Sequence, residues 1–115
     1  MRIALGILLF GNLLFASNSF VKQKEYTCLN TYTVESGVKH EMDINESKKR
    51  PFIFTINENT LTTVDNVTFD YKMQKGPMIS YSNEEYMLLL MPNMELGLVP
   101  KQKRGQLQYY FKCKN

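Results

Sequence analysis

Gln106-Leu107-Gln108-Tyr109-Tyr110-Phe111-Lys112-Cys113 decides the fold class. Leu107, Tyr109, Phe111 and Cys113 fall on every second residue, and Gln106, Gln108, Tyr110 and Lys112 lie between them. Successive side chains of a strand point to opposite faces, so this is a strand with one face for a core. The same period recurs at the other end of the chain. Over residues 26–34 the even positions carry Tyr26, Cys28, Tyr32 and Val34. Ser36-Gly37 then makes a turn, and Val38, His40, Met42 and Ile44 alternate with Lys39, Glu41 and Asp43, which completes a hairpin.

Between these ends the period continues. Phe52, Phe54 and Ile56 share one face, and Asn57-Glu58-Asn59 turns the chain into a strand over 61–64. After Asp65-Asn66, Val67, Phe69, Tyr71 and Met73 alternate with Thr68, Asp70 and Lys72. Lys75-Gly76-Pro77 marks a turn into a strand over 78–82. Residues 86–91 are apolar throughout, so periodicity does not classify them. Ser82-Asn83-Glu84-Glu85 has the form of a helix capping box, but the run is short and Pro92 stops it, which favours a buried strand. A further strand spans 94–99. With seven Tyr, seven Phe and no Trp, the composition also favours strands. The fold expected is all-β: a small antiparallel meander of about eight short strands, closed as a barrel or packed as a sandwich.

The chain opens Met1-Arg2 and runs apolar over residues 3–15, broken only by Gly6, Gly11 and Asn12. A spanning helix needs roughly 20 apolar residues, so this reads as a signal peptide over residues 1–19, with no permanent membrane anchor. Ser17-Asn18-Ser19 supplies the small residues for a cut that leaves Phe20 first. A single all-β domain over residues 20–115 remains, and a periplasmic or secreted location follows. Cys28 and Cys113 are the only cysteines. In an exported chain two cysteines ordinarily pair, and both lie on apolar strand faces, so a bond between them would set the first strand beside the last. A redox or metal pair is the alternative, for which the distant spacing is unsuited. Asn45-Glu46-Ser47 and Asn66-Val67-Thr68 are glycosylation acceptors in a eukaryotic host.

Chemistry-bearing patterns are sparse. His40 is the one histidine, placed as a half-buried strand residue with no nucleophile assigned beside it. No zinc ligand set or glycine-rich phosphate loop is present in the sequence, so no catalytic residue, metal or cofactor is expected. Without Arg2 the chain has 13 basic and 11 acidic residues, a net of +2, too mild to argue for nucleic acid. Six of those basic residues sit in two loops: Lys48, Lys49 and Arg50, then Lys101, Lys103 and Arg104. Connections in a meander alternate between ends, so the two loops share one rim. That rim suits an acidic protein or an anionic envelope component; solvated loops that keep the protein soluble are the alternative. Residues 79–86 mix Tyr81 and Tyr86 with small polar residues, a composition suited to partner recognition.

A signal peptide, a domain of about a hundred residues, all-β patterning and cysteines near both ends resemble the small periplasmic inhibitors of lysozyme. Those are antiparallel barrels that insert a loop into the enzyme's cleft. The resemblance concerns architecture and assigns no site residue. The expected function is therefore a non-enzymatic exported binding protein, an inhibitor or an envelope accessory factor. One alternative is a carrier of a small hydrophobic ligand, with a lipocalin-like cavity lined by Phe52, Phe54, Phe69, Tyr71 and Tyr109. A hydrolase is a weaker one.

Overall fold

In the computed structural model, which describes residues 20–115, the period-two segments become strands. They are β1 (Glu25–Glu35), β2 (Val38–Glu41), β3 (Phe52–Asn57), β4 (Thr60–Thr63), β5 (Thr68–Lys75), β6 (Met78–Ser82), β7 (Tyr86–Met91), β8 (Glu95–Pro100) and β9 (Leu107–Lys114). A single helical turn, α1 (Ile44–Ser47), lies between β2 and β3. Every pairing is antiparallel, and neighbours in sequence are neighbours in space from β3 to β9. β1 then pairs with both β3 and β9, so eight strands close a barrel and β2 flanks it as a short ninth. The expected signal peptide lies outside the described residues, and none of their helices is long and apolar enough to cross a membrane.

The barrel is shut where its first and last strands meet. Cys28 stands directly opposite Cys113 in the β1–β9 ladder, and the two are bonded. Both are buried. An eight-stranded barrel has an interior just wide enough for side chains to fill. Here Tyr26, Phe54, Phe69, Leu61, Leu88 and Leu96 fill it, each 2% exposed or less. Phe54 stacks on Tyr26 at 5.5 Å and contacts Phe52 at 5.8 Å, which touches Phe111 at 5.6 Å.

The two ends of the barrel differ. At the end where β1 begins, Phe20 packs edge-on against Tyr26 at 4.9 Å, and the Tyr26 hydroxyl accepts a hydrogen bond from the Val21 N–H at 2.7 Å. The Gln23 N–H donates to the Ile56 carbonyl, so the segment before β1 forms a floor. The other end carries the loops into β3 and between β4 and β5, β6 and β7, and β8 and β9.

Two bulges break the alternation that the sequence suggests. In β1 the register shifts between Asn30 and Tyr32. Tyr26 and Cys28 face inward, but past the extra residue Thr31 the phase reverses, so Tyr32 and Val34 face outward, Tyr32 opposite Tyr110. Polar groups hold the bulge. Asn30 Nδ2 donates to the carbonyls of Tyr110 at 2.8 Å and Tyr32 at 3.1 Å, and the Thr31 hydroxyl also reaches Tyr110 O at 3.2 Å. In β5 the shift falls between Tyr71 and Met73, which leaves Met73 outward and 58% exposed. A bulge adds one residue to one strand and kinks it, and both help to bend a short-stranded sheet into closure.

The expected strand over 38–44 stops at Glu41. Asp43 caps the helical turn, its carboxylate accepting from the Asn45 N–H at 3.1 Å. His40 is exposed, not half-buried, because β2 stands outside the barrel wall. Ser47, which precedes the first basic loop, is buried, and its hydroxyl donates to the Asn30 carbonyl. Residues 86–91 are a strand. The polar run before them is an Asn83 turn, with Asn83 Oδ1 accepting from the N–H groups of Glu85 and Tyr86 at 2.9 and 2.8 Å.

Candidate functional site

The end of the barrel where β1 finishes is the open one. Phe52, Phe69, Tyr86 and Leu98 point inward near their strand ends, and beside them Pro51, Val64 and Val67 form a rim around an apolar depression of about 210 Å³. Val64 and Val67 are 57% and 43% exposed. The β4–β5 turn that presents them is tied down: the Val67 N–H donates to Thr63 Oγ1 at 3.1 Å, and the Val64 N–H to the Ile53 carbonyl at 3.0 Å. The valines are therefore displayed on a pinned turn.

Tyr86 also lines a second, more polar depression of about 300 Å³, together with Glu84, Glu85, Lys103, Leu107 and Tyr109. Tyr109 lies opposite Leu98 in the β8–β9 ladder, on the inward face. The two depressions are thus halves of one mouth, apolar on the β3–β4 side and charged on the β8–β9 side, with Tyr86 between them.

The six basic loop residues stand at this same end of the barrel and are exposed. The first loop enters β3 beside the mouth through Pro51, and the second joins β8 to β9. They are not uniformly unneutralised. Lys49 pairs with Glu46 at 2.7 Å, both exposed. Lys103 shares the polar depression with Glu84 and Glu85, and Lys101 shares a neighbouring one of about 250 Å³ with Asp70 and Glu84. The rim is mixed in charge, basic where Lys48, Arg50 and Arg104 project.

The two tyrosines of residues 79–86 part company. Tyr81 points into the barrel, 4% exposed, with its ring edge-on to Tyr71 at 5.9 Å. Burial, then the neighbouring Tyr71, pushes its phenol above 10.0. It offers no contact surface, whereas Tyr86 does. Val64 and Val67 complete the mouth and were missed as site residues, because exposed apolar residues in a turn follow no period. Asp65-Asn66 did mark the turn that carries them.

Among the described residues no group of three or more His, Cys, Asp or Glu side chains is placed to hold a metal ion. No family model, curated protein or solved structure matches the chain.

Proposed function

We propose that the chain is an exported, non-enzymatic binding protein that engages a protein partner through the mouth of the barrel. The observation that carries this reading is the contrast between a filled interior and an apolar depression displayed at one end. Phe54, Leu61, Leu88, Leu90 and Leu96 are fully buried inside the barrel, which leaves the volume of a lipocalin-like cavity occupied. Val64, Val67, Phe52 and Tyr86 form a small apolar centre with a charged surround, the anatomy of a protein contact rather than a ligand chamber. Export rests on the apolar opening segment and on the bonded, buried cysteines, since disulfides persist in oxidising compartments. An inhibitor that presents loops to a partner's cleft is one form this function takes, and an envelope accessory factor is another.

Affinity capture from envelope extract tests the reading, with wild-type protein beside a Val64→Glu/Val67→Glu variant. A protein retained by the first and lost with the second is the expected outcome. Equal retention on both would remove the mouth from the function.

A further inference from the structure

β2 has a free edge. Among the described residues it pairs only with β1, and all four of its residues are exposed. The hairpin that creates it turns through Ser36 and Gly37, with φ of 50° and 81°, the left-handed conformations of a two-residue hairpin turn. This turn fixes which backbone groups face where. Val38 pairs with Glu35 next to the turn, so Val38, His40 and Met42 spend their N–H and C=O groups on β1, as the Met42 N–H bond to the Thr31 carbonyl at 3.0 Å shows. The N–H and C=O groups of Lys39 and Glu41 are left pointing away from the barrel.

We propose that this edge binds a second copy of itself, antiparallel, in the register that sets His40 opposite the partner's His40. Residues facing each other across an antiparallel pair must both aim their hydrogen-bonding groups at the partner or both aim them away. Three two-fold registers within β2 meet that condition, centred on residue 39, 40 or 41. The first sets Lys39 against Lys39 and the third sets Glu41 against Glu41. Only the middle one sets Lys39 opposite Glu41 on both sides of the axis, with four backbone hydrogen bonds and two opposite-charge pairs. On the other face it brings Val38, 56% exposed, opposite Met42, 40% exposed. Lys39 already sits 4.5 Å over the ring of Tyr32, which stacks on Tyr110 at 4.7 Å, so the lysine is placed before a partner arrives. A short edge that carries a lysine ordinarily resists pairing, but this one is complementary to its own copy. The contact is far below the roughly 800 Å² per partner of a standard interface, so the association is weak.

Sedimentation equilibrium on the oxidised protein over residues 20–115, up to about 1 mM, reads the self-association directly. Lys39→Glu and Glu41→Lys each turn both charge pairs into repulsions and should weaken it about tenfold. An equimolar mixture of these two variants restores complementarity and should associate within about threefold of wild type, as should the double variant Lys39→Glu/Glu41→Lys. Wild type that stays monomeric throughout would overturn the proposal. So would single variants that associate like wild type, or a mixture no tighter than its components. None of these residues lines either depression of the mouth, so failure here leaves the proposed function standing.

Discussion

Cys28 and Cys113 occupy facing positions on the first and last strands, so one covalent bond lies across the seam where the barrel closes. The pair is 85 residues apart in sequence. Joining positions that distant removes about 4–5 kcal/mol of chain entropy from the unfolded state, an upper figure where the reduced chain keeps residual structure. Intact mass with and without reductant should show the bond. Denaturant unfolding of a Cys28→Ala/Cys113→Ala variant should show most of that loss. A variant as stable as wild type would mean that the seam is held by its hydrogen bonds alone.

Substitutions along β9 should track its two faces. On β9, the half-buried Phe111→Ala should cost somewhat less than Phe54→Ala, which lies at a fully buried position on β3 and should cost about 3–5 kcal/mol. Gln108→Ala should stay within about 0.5 kcal/mol of wild type. Tyr110 faces outward, yet it stacks on Tyr32, so Tyr110→Ala should cost about 1 kcal/mol. Thermal or denaturant unfolding measures all four.

Asn30 should matter more than its half-exposed position suggests. Its amide serves the carbonyls of Tyr32 and Tyr110 at the bulge. Asn30→Ala leaves both without that donor and should cost about 1–3 kcal/mol. Asn30→Asp replaces a donor with an acceptor and should cost at least as much. Unfolding midpoints of the two variants decide it, and hydrogen exchange at residues 30–33 should rise in both.

Two phenols should weaken the fold at alkaline pH. Burial raises the Tyr81 and Tyr110 phenols above 10.0, with Tyr71 and Tyr32 adding to the respective shifts. A folded-state value above the unfolded one means that the native state holds its proton longer. The contribution of these two phenols to stability is therefore level below about pH 10 and is lost as pH rises through the folded-state values. Tyr110→Phe should flatten part of that fall, as read by unfolding midpoints across pH 9–12.

The fold was largely legible because period two survives wherever a strand has one wet face. β3 and β9 follow it, and the cysteines at facing positions supplied the closure. What misled was where a single extra residue reverses the phase. Tyr32 and Met73 have the spacing of core residues and lie outside, since a bulge leaves no mark on spacing. α1 had a readable signal, Asp43 three residues before Glu46, but the alternation of Val38, His40, Met42 and Ile44 outweighed it. The mouth was half legible. The two basic loops at one end followed from meander connectivity, whereas the apolar half depends on Val64 and Val67 in a turn, and Tyr81 looked like a surface residue until its strand was set in register.

Charge at the rim should govern how fast a partner arrives. Replacing Lys48, Lys49, Arg50, Lys101, Lys103 and Arg104 with Glu should slow association with an acidic partner and reverse its salt dependence, so that added salt speeds it. The thermal midpoint should stay nearly unchanged, because exposed ion pairs such as Lys49–Glu46 contribute little. Association rates at low and high salt provide the measurement.

Hydrogen exchange of the protein with and without its captured partner maps the surface that the partner covers. Recognition through the mouth predicts slowed exchange at residues 51–53, 64–67, 84–86 and 101–106, all at the end where β1 finishes. Protection confined to residues 20–24, 58–59, 76–77 and 92–94 at the opposite end would contradict it.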